Sequence, residues 1–281
     1  MAGSSISALP PRAEAVAGRQ PPTFGALRYE VADAVATIVL DRPDALNSLT
    51  VPLKGEVLAA FREAGRDRGV RAVILTGAGR AFCAGQDLRE RLEPDAAPLA
   101  VEVRERYNPL ILAMRRLEKP IVGAINGVAA GAGASLAFAC DLRIAAEGAS
   151  FVLAFGRVGL VPDSGATWFL PRLVGLARAF ELALLNEPLS AVDAERLGLV
   201  NAVVPAERLL DAARELAGRL AAGAPRAIGL TKRALNRSLE SDLESSLEYE
   251  AFLQGIAGRT ADHAEGLRAF VEKRPPRFSG E

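Results

Sequence analysis

A chain of 281 residues and 29.5 kDa, 50% hydrophobic and 24% charged, is long enough to bury a large core. Its formal net charge of zero gives no bulk field for nucleic acid or an anionic membrane, so neither is an expected partner. Cys83 and Cys140 sit in apolar runs without C-x-x-C spacing, and the lone His263 completes no cluster with them, so buried thiols and no metal site are expected.

Residues 1–23 mix Ser, Ala, Arg and Pro without the apolar core of a secretory signal, and read as a disordered tail rather than an organelle-targeting peptide. A cytoplasmic, reducing setting is the corresponding expectation. Leu27 to Val31 and Val35 to Leu40 predict strands, with a hairpin turn at Ala32-Asp33. Thr50 predicts an N-cap with Pro52 in the first turn of a helix running to about Arg68. Leu53, Val57, Leu58, Phe61 and Ala64 mark its apolar face. Val70 to Leu75 predicts a fully buried strand, Leu99 to Leu117 a helix, and Leu142 to Ala145 and Phe151 to Leu153 short strands. Repeated strand, strand and helix suit a stacked spiral better than a single Rossmann wind.

Past Asp163 helical patterns take over: Thr167 to Leu173, Ala177 to Leu185, Ala191 to Leu197, Ala206 to Leu220, Pro225 to Leu239 and two more to Glu272. Only Val200 to Val204 reads as a strand there. The apolar faces of these helices are broader than one spiral can cover.

The run from Pro120 to Asp141 carries the most information. Ile121 to Ile125 predicts a buried strand, followed by a glycine-rich turn and an apolar helix opening near Gly131. The uncharged stretch from Ile121 to Cys140 has about the length of a membrane span, but its glycines, alanines, Asn126 and Ser135 favour strand, turn and buried helix. A helix entered through small residues leaves backbone N–H groups free at its start. Ala81 to Leu88 follows another apolar strand in the same manner. Two such turns can aim two donors at an oxygen that becomes negative during reaction.

Gly127, Gly131 and Gly133 fit the nucleotide fingerprint of short-chain dehydrogenases, but none of Tyr29, Tyr107 and Tyr249 is followed by Lys four residues later. Gly133-Ala-Ser135-Leu-Ala137 approaches a nucleophile elbow, yet its only histidine partner would be His263, in a helix that reads as exposed.

Taken together, Ala81–Leu88, Pro120–Asp141, Arg42–Leu49, Gly159–Thr167 and the tail segments Arg259–Gly266 and Lys273–Phe278 resemble the enoyl-CoA hydratase/isomerase (crotonase) superfamily. The resemblance runs in order from about Phe24 to the C-terminus, and is nearest to ring-1,2-epoxyphenylacetyl-CoA isomerase-like members. It implies an α/β spiral of repeated ββα turns over residues 24–205. The C-terminal helices, 206–281, would form a trimerisation layer, giving a homotrimer or a dimer of trimers. Coenzyme A enters as part of the substrate thioester, with no permanently bound cofactor. Its contacts would fall on Arg42, Ala45, Ser48, Ala84, Gln86, Asp87, Leu88, Arg89 and Gly131. Lysine is confined to Lys54, Lys119, Lys232 and Lys273, so arginine and backbone amides suit the phosphates better.

By the same resemblance the oxyanion donors are the N–H groups of Gln86 and Ala132. The two glutamates that hold water in the family's hydratases fall on Ser135 and Phe155, neither of which carries a titrating proton. Asp163 is the nearest carboxylate with motif support. It would act as acid and base if burial raises its pKa, or serve as N-cap of a helix starting at about Ser164. Phe138, Phe155 and Trp168 are candidates for an aromatic-friendly acyl pocket. An isomerase of an enoyl-CoA or ring-epoxide aryl-acetyl-CoA is thus expected. A hydratase, a dehalogenase or thioester hydrolase with Asp163 as nucleophile, and a non-catalytic acyl-CoA- or RNA-binding relative are the alternatives.

Overall fold

The computed structural model describes residues 23–281; the tail expected over residues 1–23 lies outside them but for Thr23. Strands β1 (Leu27–Ala32) and β2 (Val35–Leu40) form a hairpin. Its two-residue turn is Asp33-Ala34, one residue later than expected, and both have positive φ (49° and 62°). That left-handed pair matches the twist of the strands it joins. Helix α1 (Val51–Arg66) starts where expected, with Thr50 Oγ1 accepting the Leu53 N–H at 3.3 Å. The chain continues through β3 (Ala72–Gly77), β4 (Ala81–Cys83), α2 (Leu99–Glu102), α3 (Asn108–Arg116), β5 (Ile121–Ile125), β6 (Val128–Ala130) and α4 (Ala132–Ala139). After these come β7 (Leu142–Ala146), β8 (Ser150–Val152), α5 (Ala166–Val174), α6 (Leu176–Leu185), β9 (Leu189–Ser190), α7 (Ala191–Arg196) and β10 (Ala202–Val204). The last helices are α8 (Leu209–Ala221), α9 (Pro225–Ser238), α10 (Leu243–Ala257) and α11 (Ala261–Glu272).

The strands divide between two sheets. One has the order β1-β2-β3-β5-β7-β10 and is parallel beyond the first hairpin; the other has the order β4-β6-β8-β9. The pairs β3/β4, β5/β6 and β7/β8 each place one strand in either sheet, so every turn of the chain lays one strand on each. This is the expected spiral, with the second sheet as an addition. Three-residue strands such as β4 and β6 are too short to show alternation in sequence.

The helix expected from Leu99 to Leu117 is continuous but contains a π-turn, Val103–Tyr107, between α2 and α3. The wider turn brings Glu102 and Tyr107 onto one side, where both are buried. Helix α4 is buried at every residue, which explains its uniformly apolar composition. Among the described residues no helix is long and apolar enough to cross a membrane.

One core lies between the sheets, α1, α3 and α4; the outer face of the larger sheet is covered by α8 through Leu209, Ala213, Ala217 and Ala221. Helix α8, although inside the region expected to trimerise, thus closes the protomer's own core. Exposed apolar side chains concentrate on α6 (Leu176, Phe180, Leu184, Leu185), α10 (Leu243, Leu247, Phe252) and α11 (Leu267, Phe270, Val271).

Candidate active site

Two backbone turns meet at the top of the smaller sheet. In the first, β4 leads into Gly85, whose φ of +87° suits glycine alone. The Leu49 N–H donates to the Gly85 carbonyl at 2.7 Å and the Asp87 N–H donates to the Leu49 carbonyl at 3.2 Å. In a parallel bridge of this kind the intervening residue faces away, so the Gln86 N–H takes no part in it. In the second turn, Gly131 (φ +51°) is tied to β8 by its N–H on the Val152 carbonyl at 2.9 Å. Ala132 is the first residue of α4, so its N–H has no partner within the helix.

The two turns touch. A methyl group on Gly85 would lie 2.7 Å from the Ala130 oxygen and 3.3 Å from the Ala132 nitrogen. One on Gly133 would lie 2.1 Å from the Cys83 oxygen. Glycine at both positions lets α4 seat directly on the end of β4, which brings the turn at Gly85, one residue before Gln86, against the Ala132 amide.

Asp163 belongs to the loop between the turn Ala154–Val158 and α5. The Ser135 hydroxyl, one turn into α4, donates to the Asp163 carbonyl at 3.0 Å. The loop is thereby fastened to the helix that supplies the second donor. Ser135 also donates to the Gly131 carbonyl at 3.3 Å and lies in a different part of the fold from His263, which is exposed on α11. No serine–histidine dyad forms. Helix α5 begins at Ala166, later than expected, with Gly165 as its N-cap and no side-chain cap. The Asp163 carboxylate is therefore not used for capping; its Oδ1 accepts the Ser164 hydroxyl at 2.8 Å. Burial raises its pKa, opposed by that hydrogen bond and by the positive charge of Lys54. Ser164 itself has φ +53°, an uncommon conformation for a non-glycine residue.

The residues expected to hold coenzyme A form a second cluster around Asp87. Arg42 reaches Asp87 Oδ2 at 3.2 Å and the Ser48 carbonyl at 2.5 Å, and the Ser48 hydroxyl donates to Asp87 Oδ2 at 3.0 Å. Arg89 binds the other Asp87 oxygen at 3.0 Å. The Arg89 hydrogen bond, with those of Ser48 and Arg42, holds the Asp87 carboxyl far below the usual range despite its burial. Ala45 is half-buried in the first loop, Ala84 donates its N–H to the Leu46 carbonyl at 2.9 Å, and Leu88 is exposed beside Arg89. The two loops are thus one unit. Sequence reasoning missed its anchor, Asn47, which is fully buried with φ +56° and bonds Arg42 N, Ala78 O and Ala81 O.

The three aromatic candidates separate. Phe138 stacks on Phe151 at 6.1 Å within the core, away from the Asp163 loop, so it is a packing residue. Phe155 is buried in the turn before the loop. Trp168 lines a groove of about 640 Å³ between α3, α5 and α9, with Ile111, Phe169 and Gly165. The groove reaches Gly165, two residues past Asp163. Cys83 and Cys140 are buried, and desolvation pushes both thiols up to about 12. Among the described residues no three metal-ligating side chains converge.

Comparison with known proteins gives the chain's relatives. The chain matches the enoyl-CoA hydratase/isomerase family over residues 30–281. It is similar to a 1,2-epoxyphenylacetyl-CoA isomerase from Escherichia coli (strain K12), 44% identical over 89% of this chain and 97% of that protein. An (E)-benzylidenesuccinyl-CoA hydratase from Thauera aromatica is 37% identical over 89% of this chain and 98% of its own. Among solved structures, an enoyl-CoA hydratase from Bacillus anthracis superposes with a TM-score of 0.85 at 38% identity, covering 92% of this chain and all of that one.

Proposed function

The chain belongs to the enoyl-CoA hydratase/isomerase family, and we propose that within it the protein is an isomerase with Asp163 as its single acid and base. The observation that carries this reading is that Ser135 fastens the Asp163 loop, whose carboxylate is desolvated and caps no helix, to the helix whose first N–H meets the Gly85 turn, while Ser135 and Phe155 stand where hydratase glutamates fall. The thioester carbonyl sits between the Gln86 and Ala132 N–H groups. Asp163 removes a proton from C2 of a 3-enoyl-CoA. The C–H electron pair becomes the enolate double bond and the carbonyl oxygen takes the negative charge. One such donor contributes roughly 3 kcal/mol to lowering the barrier. Asp163 then returns the proton to C4, and the double bond moves into conjugation.

Coenzyme A is held by the Arg42–Ser48 and Gln86–Arg89 loops, and the acyl group enters the groove lined by Ile111, Trp168 and Phe169. The apolar side of that groove suits a flat acyl group, in keeping with the isomerase from E. coli acting, by its name, on an epoxyphenylacetyl thioester, while Arg115, Lys232, Arg233 and Arg237 make its other side cationic. The exposed apolar faces of α6, α10 and α11 support assembly into a trimer or a pair of trimers.

Crotonyl-CoA, a 3-enoyl-CoA and a haloaryl-CoA offered separately test the reading. Turnover of the 3-enoyl-CoA is expected, with kcat/KM on crotonyl-CoA at least about 10²-fold below that of a two-glutamate hydratase. Hydration at a rate comparable to such a hydratase, or halide release alone, would overturn it.

A further inference from the structure

Beside the first oxyanion donor lies a buried polar cluster, Lys54, Glu102 and Tyr107, that takes no proton from substrate and does not belong to the coenzyme A loops. Lys54, on the inward face of α1, is only 1% exposed. Its ammonium pairs with Glu102, donates to the side-chain oxygen Oε1 of Gln86 at 2.9 Å and lies 4.7 Å from the centre of the Tyr107 ring. The Tyr107 hydroxyl donates to the same Gln86 oxygen at 2.5 Å, and Glu102 is also paired with Arg106. An apolar side chain would fill the Lys54 position without the cost of desolvating a charge, so packing alone does not account for lysine there.

We propose that Lys54 is a positioning residue for the oxyanion site, acting through the Gln86 side chain to hold the Gln86 backbone N–H in line with that of Ala132. The inference rests on the reading of these two amides as thioester donors. Gln86 is gripped at both ends. Its neighbours Gly85 and Asp87 are hydrogen-bonded to Leu49, and its side-chain oxygen is fixed by two buried donors. The Gly85 carbonyl, in the same planar peptide as the Gln86 N–H, is fixed from one side by Leu49, and the side-chain clamp adds a second restraint at the Gln86 Cα on the other side. Preorganisation of this sort acts on the charge that develops at the carbonyl, with little effect on ground-state binding. Burial works to raise the Glu102 pKa, but its bonds to Lys54 and Arg106 hold it below the usual range, while burial lowers that of Lys54 against the pull of Glu102. The groups acting on Asp163 are Ser164, on its own loop, and Lys54 from α1. Tyr107, from the π-turn before α3, also lies within electrostatic range of it.

The test is a double-mutant cycle of Lys54→Met and Gln86→Met, read in two ways. With 3-hexenoyl-CoA, Lys54→Met should lower kcat by about 10-fold or more with KM within about two-fold, and the double variant should lose no more than the worse single variant. The carbonyl stretch of bound [1-¹³C]hexanoyl-CoA reads the oxyanion site independently of turnover. The red shift seen on the wild type should shrink in Lys54→Met. Full kcat and an unchanged stretch in Lys54→Met, or losses that multiply in the double variant, would overturn the proposal. A wild type that does not polarise the carbonyl would instead remove the oxyanion reading beneath it. Should Lys54→Met not fold, Lys54→Met/Glu102→Gln removes both members of the buried pair. The same kcat loss and weakened stretch are expected in that protein, and wild-type values would overturn the proposal.

Discussion

Desolvation and the Lys54 charge pull on Asp163 in opposite directions, and burial prevails. A base with a raised pKa gives kcat/KM an acid limb centred above the ordinary aspartate value of about 4, which a pH–rate profile from pH 4 to 8 would read. The same shift sets a sign for stability. Because the folded-state pKa lies above the unfolded one, the folded protein binds the extra proton. Stability from this group is therefore full below the unfolded pKa and is lost as pH rises through the folded pKa. Asp163→Asn removes that loss and still accepts the Ser164 hydrogen bond. Its Tm at pH 7 should equal or exceed that of the wild type, with the gap narrowing toward pH 4. A clearly lower Tm at pH 7 in calorimetry would mean that the carboxylate is structural. At the other cluster, Arg42→Ala leaves Asp87 held by Arg89 and Ser48, so the fold should persist while acyl-CoA Kd rises about ten-fold in titration calorimetry. An unchanged Kd would take coenzyme A away from this loop.

At the scale of elements, the two turns that carry the donors depend on glycine for different reasons. Gly85 has a left-handed φ and no room for a methyl group, so Gly85→Ala should cost about 1–2 kcal/mol from conformation alone, before the clash. Gly133 lies within a helix, where alanine is normally welcome, but here α4 would be pushed off Cys83. Gly133→Ala should therefore lower the urea midpoint, whereas an exposed helical glycine with open space, such as Gly55 in α1, should raise it slightly when changed to alanine. Equal responses would show that close packing of α4 on β4 is unimportant. Much of this architecture was legible in the sequence, because α1 and the later helices show their period or their caps, while β5 and α4 show as unbroken apolar runs around a glycine-rich turn. The smaller sheet was not, since its strands are two or three residues long. The π-turn in the Leu99–Arg116 helix was equally hidden, and with it the convergence of Glu102 and Tyr107. Lys54 did leave a trace: it is the one charge in the inward stripe Leu53, Lys54, Val57, Phe61. Its partners, 32 and 48 residues away, are set by tertiary packing alone.

For the whole molecule, the spiral does one thing that no single motif does. It stacks successive turns so that two loops and one helix start, far apart in the chain, share an edge of the smaller sheet. The apolar faces on α6, α10 and α11 point to assembly, and light scattering at micromolar concentration should give three or six protomers, a stable monomer being the contrary result. Arg42, Ser48, Asp87 and Arg89 are joined by hydrogen bonds in one cluster, whereas Phe138, Phe155 and Trp168 lie in three separate places, Phe138 in the core against Phe151.

The central claim is that one carboxylate moves the proton across an oxyanion site. Its most direct test is the isomerisation rate of Asp163→Asn on a 3-enoyl-CoA, measured beside acyl-CoA affinity. Asparagine keeps the size and accepts the Ser164 bond but takes no proton at neutral pH. The rate should fall by about 10²- to 10⁴-fold with affinity nearly unchanged. Isomerisation at close to the wild-type rate would place the base elsewhere and contradict the account.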